Sequence, residues 1–172
     1  DTYLNVSGHA DLLIAVKKCI ASLFTSRAIS YRVDKGFDHF QIALSVGIQR
    51  MIRSDIASSG VMFSIDTESG FQNVVLINSI YGLGENIVQG KVNPDEFMVF
   101  KPTGQIIYRE RGRKRIKMVY NMAKGAERPV KDIPVPAGEQ RKYSITDAQV
   151  KELARAAMLI EEHYNRPMDM EW

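Results

Sequence analysis

Apolar residues recur every three or four positions between Asp11 and Tyr31, which is the spacing of one face of an α-helix. The same spacing returns after Thr146, where Gln149 completes a capping box that opens a second helix. Gly36 is the residue that ends the first pattern. The sequence therefore predicts one long helix near each end of the chain.

Between these helices the apolar pattern becomes that of β-strands, with alternating or continuous apolar runs of five to twelve residues. The predicted strands are Ile42–Arg53, Gly60–Asp66, Asn73–Ile80, Glu96–Lys101, Gln105–Arg109 and Ile116–Tyr120. We expect the last of these to extend the preceding hairpin into a meander. The polar, proline-containing residues 121–143 predict a mobile loop. The order of the elements predicts an α+β fold whose sheet is flanked by helices.

The last five residues alternate, with Met168, Met170 and Trp172 on one side and Asp169 and Glu171 on the other. A strand would place these two carboxylates on one face about 6–7 Å apart. Such a pair suits Mg²⁺, which takes one or two carboxylates together with phosphate oxygens and water. From the residues alone, two solvated acids on an exposed face remain the alternative.

The segment Tyr81–Phe97 combines three glycines with one acid, Glu85, directly after an apolar strand. Glycines permit a close approach of the backbone to a ligand, so the segment is a candidate phosphate-facing loop. Its spacing fits neither a Rossmann fingerprint nor a Walker A loop, because Lys91 is followed by Val92. A tight structural turn is the alternative.

Composition narrows the class of protein. The chain has 172 residues, of which 45% are hydrophobic and 25% charged, and its net charge is +3. No apolar run reaches the roughly 20 residues that a membrane span needs. The single cysteine, Cys19, excludes an internal disulfide and favours the cytoplasm. The basic residues 109–117 could form a nucleic-acid patch, but they lack interleaved aromatic residues, so we favour a solvated hairpin turn.

Two stretches carry a resemblance to a known family: Gly60–Gly70, which reads GVMFSIDTESG, and Tyr81–Phe97, which reads YGLGENIVQGKVNPDEF. The chain resembles the bacterial phosphoenolpyruvate synthases over nearly its whole length. It is similar to part of their N-terminal nucleotide-binding domain, which pyruvate phosphate dikinase and rifampicin phosphotransferase share. The resemblance implies an ATP-grasp-like mixed or antiparallel sheet, and it implies that residues 1–172 are the C-terminal portion of that domain.

The resemblance also implies site residues. It assigns the adenine-binding hinge to Gln49 and Met51, and magnesium to Asp169 and Glu171. It places Lys114 near the triphosphate. The full set of expected ATP contacts is Gln49, Met51, Glu85, Lys114 and Glu171.

Finally, the resemblance implies a gluconeogenic reaction in which pyruvate, ATP and water give phosphoenolpyruvate, AMP and phosphate through a phosphohistidine. His9, His39 and His163 lie in no phosphohistidine motif, so we expect no catalytic residue in this chain. The chain lacks an initiator Met and stops within the acidic strand, so we expect an inactive excerpt whose partners are the phosphohistidine and pyruvate-binding domains. The alternatives are a related dikinase, the antibiotic phosphotransferase, or a polyanion-binding module that uses the basic hairpin.

Overall fold

The computed structural model describes residues 1–123 and 128–172. These residues form two compact units. The first unit comprises Asp1–Ile52 and Met122–Val130, and the second comprises Arg53–Asn121 and Lys131–Trp172.

The first unit contains two helices, α1 (His9–Ala21) and α2 (Ser26–Lys35), separated by a 3-10 turn at Ser22–Phe24. The prediction of one continuous helix from Asp11 to Tyr31 is therefore wrong. The break has a local cause: Thr25 is extended, and its hydroxyl accepts a hydrogen bond from the Ala28 amide at 3.4 Å, so that it caps α2. Gly36 ends α2 in the left-handed conformation, as predicted.

The predicted strand Ile42–Arg53 is also wrong, because this described segment forms neither strand nor helix. Ile48 and Ile52 are 66% and 74% exposed. The alternation of side chains was read correctly as a pattern, but a strand also needs a neighbour that completes its backbone hydrogen bonds. The pattern alone contains no information about that neighbour.

The second unit is built on a five-stranded sheet of β1 (Ser58–Phe63), β2 (Val74–Tyr81), β3 (Asp95–Phe100), β4 (Gln105–Glu110) and β7 (Asp169–Glu171). The strand order is β4-β3-β2-β1-β7, and every neighbouring pair is antiparallel. Four of these strands were predicted from apolar runs, and β7 from the alternation at the end of the chain. The predicted α+β class is confirmed.

The remaining strands correct two further predictions. The strand β5 (Ile116–Tyr120) does not extend the β3–β4 hairpin but pairs with β6 (Val130–Pro134) in a separate two-stranded sheet. The predicted loop 121–143 contains β6 and a short helix α4 (Ala137–Gln140), so it is not structureless. Its residues 124–127 lie outside the described residues, and its mobility stays a prediction. The sequence did not predict β6 because most of its residues are exposed, so it has no apolar run.

The helix α5 (Asp147–Tyr164) covers one face of the sheet. Its capping box is formed as predicted, with Thr146 and Gln149 each bonding the backbone of the other. The side chains that meet in the core are Met62, Val75, Ile77, Phe97, Val99, Ile145, Val150, Ala154, Ala157 and Met170. On the other face of the sheet, Val74, Leu76 and Ile80 are also buried.

Candidate functional site

The face of the sheet turned away from α5 carries a row of acids. Strand register aligns Glu171 with Val61, Val61 with Asn78, Asn78 with Glu96, and Glu96 with Glu110. Directly opposed residues of neighbouring strands point to the same side of a sheet. We call this side, with Asp169, Glu171, Glu96 and Glu110 on it, the acidic face.

Asp169 and Glu171 lie on the acidic face because β7 alternates. The intervening Met170 is buried in the core, whereas both acids are exposed. Asp169 is opposite Phe63 and Glu171 is opposite Val61, so apolar side chains rather than cations are their cross-strand neighbours. The two carboxylates are therefore exposed on the same side of β7.

The donor set of this pair fits magnesium in one particular way. Among residues 1–123 and 128–172 there is no cluster of three or more histidine, cysteine or acidic side chains that could enclose a metal by itself. Two carboxylates are what Mg²⁺ takes from a protein when phosphate oxygens and water complete its octahedron. The two acids alone therefore supply only part of a magnesium coordination shell.

The predicted glycine loop also reaches the acidic face. Gly84 lies against the side chain of Ser59, and Ser59 is on the same side of β1 as Val61, two residues along the strand. Glu85 begins the short helix α3 (Glu85–Val88), and its carboxylate accepts a hydrogen bond from Gln89 at 2.8 Å. The Gly84 backbone therefore lies on the same side of the sheet as Asp169 and Glu171, and the role of Glu85 stays a prediction.

The loop is held firmly by backbone contacts. Gly82 donates to the Ala57 carbonyl and Leu83 to the Met118 carbonyl, each at 3.0 Å. The Ser59 hydroxyl donates to the Gly82 carbonyl at 2.6 Å. Gly82 has φ 82°, and a Cβ there would lie 2.4 Å from the Met118 oxygen. This first glycine is therefore required by the structure.

Two acids of this face were missed by the sequence analysis. Burial raises the pKa of Glu96, and the nearby carboxylates of Glu110, Glu68 and Asp66 raise it further. The side-chain oxygen of Asn78, the residue opposite Glu96, is buried and has no hydrogen-bond partner among the residues that the structure describes. Because the two acids come from different strands, only the register reveals that they are adjacent. The alternation within β3 was the available signal for Glu96.

Lys114 is not solvated, although the basic run 109–117 predicted a solvated turn. Its side chain is completely buried and forms an ion pair with Asp95, which is also completely buried. Its ammonium also donates to the Gly112 carbonyl at 3.0 Å. A buried amine that is already paired is not available to a triphosphate, so this location argues against the expected contact.

Gln49 and Met51 belong to the first unit. Both line a cavity of about 340 Å³, whose other walls include Leu12, Val16 and Cys19. The cavity is mostly apolar and has an amide side chain at its edge, an arrangement that suits a flat ring with polar edges. The expected role of these two residues stays a prediction.

An antiparallel sheet that carries exposed acids and part of a glycine loop on one face is a candidate nucleotide site. Comparison with known proteins shows the class of domain. The family model for the pyruvate phosphate dikinase AMP/ATP-binding domain matches residues 1–172, and the chain belongs to this family.

Individual relatives are similar over the whole chain. The chain is 54% identical to a phosphoenolpyruvate synthase of Synechocystis and 55% identical to one of Escherichia coli. It is 40% identical to a probable phosphoenolpyruvate synthase of Methanocaldococcus jannaschii. These matches cover 100% of this chain but only 22%, 22% and 14% of the respective relatives. No helix in the described part of the chain is long and apolar enough to cross a membrane.

Proposed function

We propose that this chain is the ATP-binding part of a phosphoenolpyruvate synthase, a pyruvate, water dikinase that acts in gluconeogenesis in the cytoplasm. The observation that carries the proposal is the pair of exposed carboxylates, Asp169 and Glu171, on the face that the glycine loop also reaches. The family match and the names of the similar proteins support the same reading.

In this proposal the acidic face binds the triphosphate end of Mg-ATP. Asp169 and Glu171 hold Mg²⁺, which, when bound, neutralises charge on the phosphate oxygens. Glu85 lies at the edge of the same site, where the glycine backbone of residues 82–84 lines the ligand. Gln49 and Met51 belong to the first unit, and their expected contacts with adenine, through the glutamine amide and the methionine as an apolar wall, are a separate proposal for that unit.

The chain supplies binding and orientation rather than covalent chemistry. Phosphoryl transfer depends mainly on positioning and charge neutralisation, so side chains that would hold the metal contribute to the rate without forming a bond to the substrate. The phosphohistidine and the pyruvate site belong, in this proposal, to other domains of the longer protein. This division is consistent with matches that cover about a fifth of each synthase.

The alternatives receive less support. The relatives named above are all called phosphoenolpyruvate synthase, which favours the synthase over another dikinase or an antibiotic phosphotransferase. A polyanion-binding role is less favoured because acids neutralise part of the basic segment 109–117: Arg109 pairs with Asp147 at 3.0 Å and Lys117 lies 3.7 Å from Glu139. Lys114 is buried with Asp95.

A chimera tests the proposal. The matching segment of the Escherichia coli synthase is replaced by this chain, and the release of AMP and phosphate is measured with pyruvate and ATP. We expect an active chimera in which Glu171→Gln lowers turnover about 100-fold, since the carboxylate acts through the metal, with the melting temperature nearly unchanged.

Glu162→Gln is the matched control, because Glu162 is an exposed acid on α5 and receives the same chemical change. We expect this variant to retain full turnover. A folded chimera without activity, or a Glu171→Gln variant within twofold of the unsubstituted chimera, would refute the proposed role.

A further inference from the structure

A buried ion pair lies outside the acidic face, on the side of the sheet that α5 covers. Asp95 is the first residue of β3, and Lys114 lies in the connection between β4 and β5. Besides Lys114, the Asp95 carboxylate accepts hydrogen bonds from the Gly112 amide at 3.0 Å and from the amide and hydroxyl of Ser144 at 2.7 Å each. All of the strong hydrogen-bonding capacity of this carboxylate is therefore used.

Burying such a charged network carries a large desolvation free energy. Taking two charges out of water costs several kcal/mol per ion, and well-packed apolar residues often serve stability equally well. What a charged network adds is a defined geometry, because each donor and acceptor must meet its partner. The question is therefore which neighbouring structure needs that geometry.

The network first fixes the connection before β5. Lys114 has a positive φ of 36° although it is not glycine. At Gly112 a Cβ would lie 2.2 Å from the carbonyl oxygens of both Asn93 and Pro94. The Arg113 amide donates to the Asn93 side chain at 2.9 Å. Residues 112–114 thus follow one tight path against the start of β3.

Two contacts carry that path to the glycine loop. The Lys114 ammonium lies 5.9 Å from the ring centroid of Tyr81, the residue immediately before Gly82. Four residues after Lys114, the Met118 carbonyl accepts the hydrogen bond of Leu83, and Met118 bridges to Gly82. The ring and the strand together define where the loop leaves β2.

The same residues also fix Tyr81 from its other end. Its hydroxyl donates to the carbonyls of Glu139 and Tyr143 at 3.2 and 3.4 Å. Tyr143 directly precedes Ser144, which bonds Asp95 and whose hydroxyl lies 2.7 Å from that of Ser79. The ring of Tyr81 is therefore held between two segments that meet at the ion pair.

We propose that Asp95 and Lys114 are positioning residues for the nucleotide site, and that their buried pair sets the conformation of the Gly82–Glu85 loop through Tyr81 and Met118. This inference rests on the proposed function for the role of the loop. Lys114 contributes to nucleotide binding without touching the nucleotide. Lys114, which the resemblance placed near the triphosphate, acts indirectly in this proposal, through the residues that hold the loop.

The experiment uses the full-length chimera and compares Lys114→Met with Lys101→Met. Lys101 is a suitable control because it is also a largely buried lysine in an ion pair, with Glu161 at 2.6 Å. Unlike Lys114, it follows the far end of β3 and connects it to α5. Hydrogen exchange is followed by mass spectrometry in peptides covering 81–90 and in core peptides covering 74–80. The KM for ATP is measured in parallel.

We expect Lys114→Met to speed exchange of the 81–90 peptides at least tenfold relative to the core peptides and to raise the KM for ATP about tenfold. We expect Lys101→Met to change neither the exchange of the 81–90 peptides relative to the core peptides nor the KM for ATP. Lys114→Arg retains the charge and serves as the milder variant if Lys114→Met fails to fold, with a smaller change in the same direction.

The outcomes separate this inference from the proposed function. Exchange in 81–90 that only follows the core peptides would overturn the positioning role, whatever the KM. Faster loop exchange with an unchanged KM would overturn the assignment of the loop to the nucleotide site, and with it the functional part of the inference. An inactive but folded parent chimera would refute the proposed function alone, because the exchange measurement needs no nucleotide.

Discussion

Glu96 is in an environment that differs from that of an ordinary surface acid. It faces Glu110 across the strand pair, and its pKa is raised first by burial and then by the carboxylates around it. The folded protein therefore binds a proton at Glu96 more tightly than the unfolded chain does. Stability falls as the pH rises from the ordinary glutamate value through the raised one, and the ionised Glu96 then destabilises the fold at neutral pH.

Replacing Glu96 with glutamine removes this penalty. We expect Glu96→Gln to stabilise the chain at pH 7 by about 0.5 kcal/mol, the scale of a like-charge pair across two strands, and to have little effect at pH 3. Urea unfolding at a series of pH values measures the difference. Glu162→Gln, on the exposed surface of α5, should show no such dependence, and a Glu96→Gln variant that is less stable at pH 7 would contradict the repulsion.

Residues also differ in how far the sequence alone reveals their positions. Asp169 and Glu171 were placed on one face correctly because the alternation of a strand is a local property of five residues. The burial of Lys114 was not predicted, because its partner Asp95 is 19 residues away, at the start of β3. A basic run looks solvated in the sequence, and only the path of the backbone shows that one of its members points inward.

At the scale of elements, the glycine loop depends on one position more than on the others. Gly82 and Gly90 both have positive φ, at 82° and 65°, but a Cβ at Gly82 would meet the Met118 carbonyl whereas at Gly90 it would meet nothing within 4 Å. We expect Gly90→Ala to cost about 1 kcal/mol for the left-handed backbone. Gly82→Ala should cost about 2 kcal/mol more through the clash.

Thermal and urea unfolding of the two variants measures this difference. The two substitutions are the same chemical change in one loop, so each is the control for the other. Equal losses of stability would contradict the close approach of Gly82 to β5.

Elements defined by local chemistry were predicted well. The capping box of α5 and the β3–β4 hairpin depend on residues a few positions apart, and both are present. The predicted strand at Ile42–Arg53 and the single first helix failed for different reasons. The strand needed a hydrogen-bonding neighbour that no pattern specifies. The helix was divided by the cap at Thr25.

At the scale of the whole molecule, the chain belongs to a nucleotide-binding family. It spans about a fifth of the length of the synthases it matches. We expect the 172-residue chain alone to bind Mg-ATP weakly, because the residues proposed to face the phosphates, Glu85, Asp169 and Glu171, include no lysine or arginine that could pair with them. Each missing charge-assisted contact is worth roughly 1.5–3 kcal/mol, so the loss of two or three shifts a micromolar site towards millimolar.

The location of the metal is the central claim, and paramagnetic broadening tests it directly. Mn²⁺ replaces Mg²⁺ in a titration of the 172-residue chain with millimolar ATP, and amide signals are followed by NMR. We predict broadening of residues 60–63, 82–85 and 168–172, lost in Glu171→Gln and retained in Glu162→Gln. Broadening confined to the basic residues 109–117, or unaffected by Glu171→Gln, would contradict a nucleotide-bound metal on the acidic face.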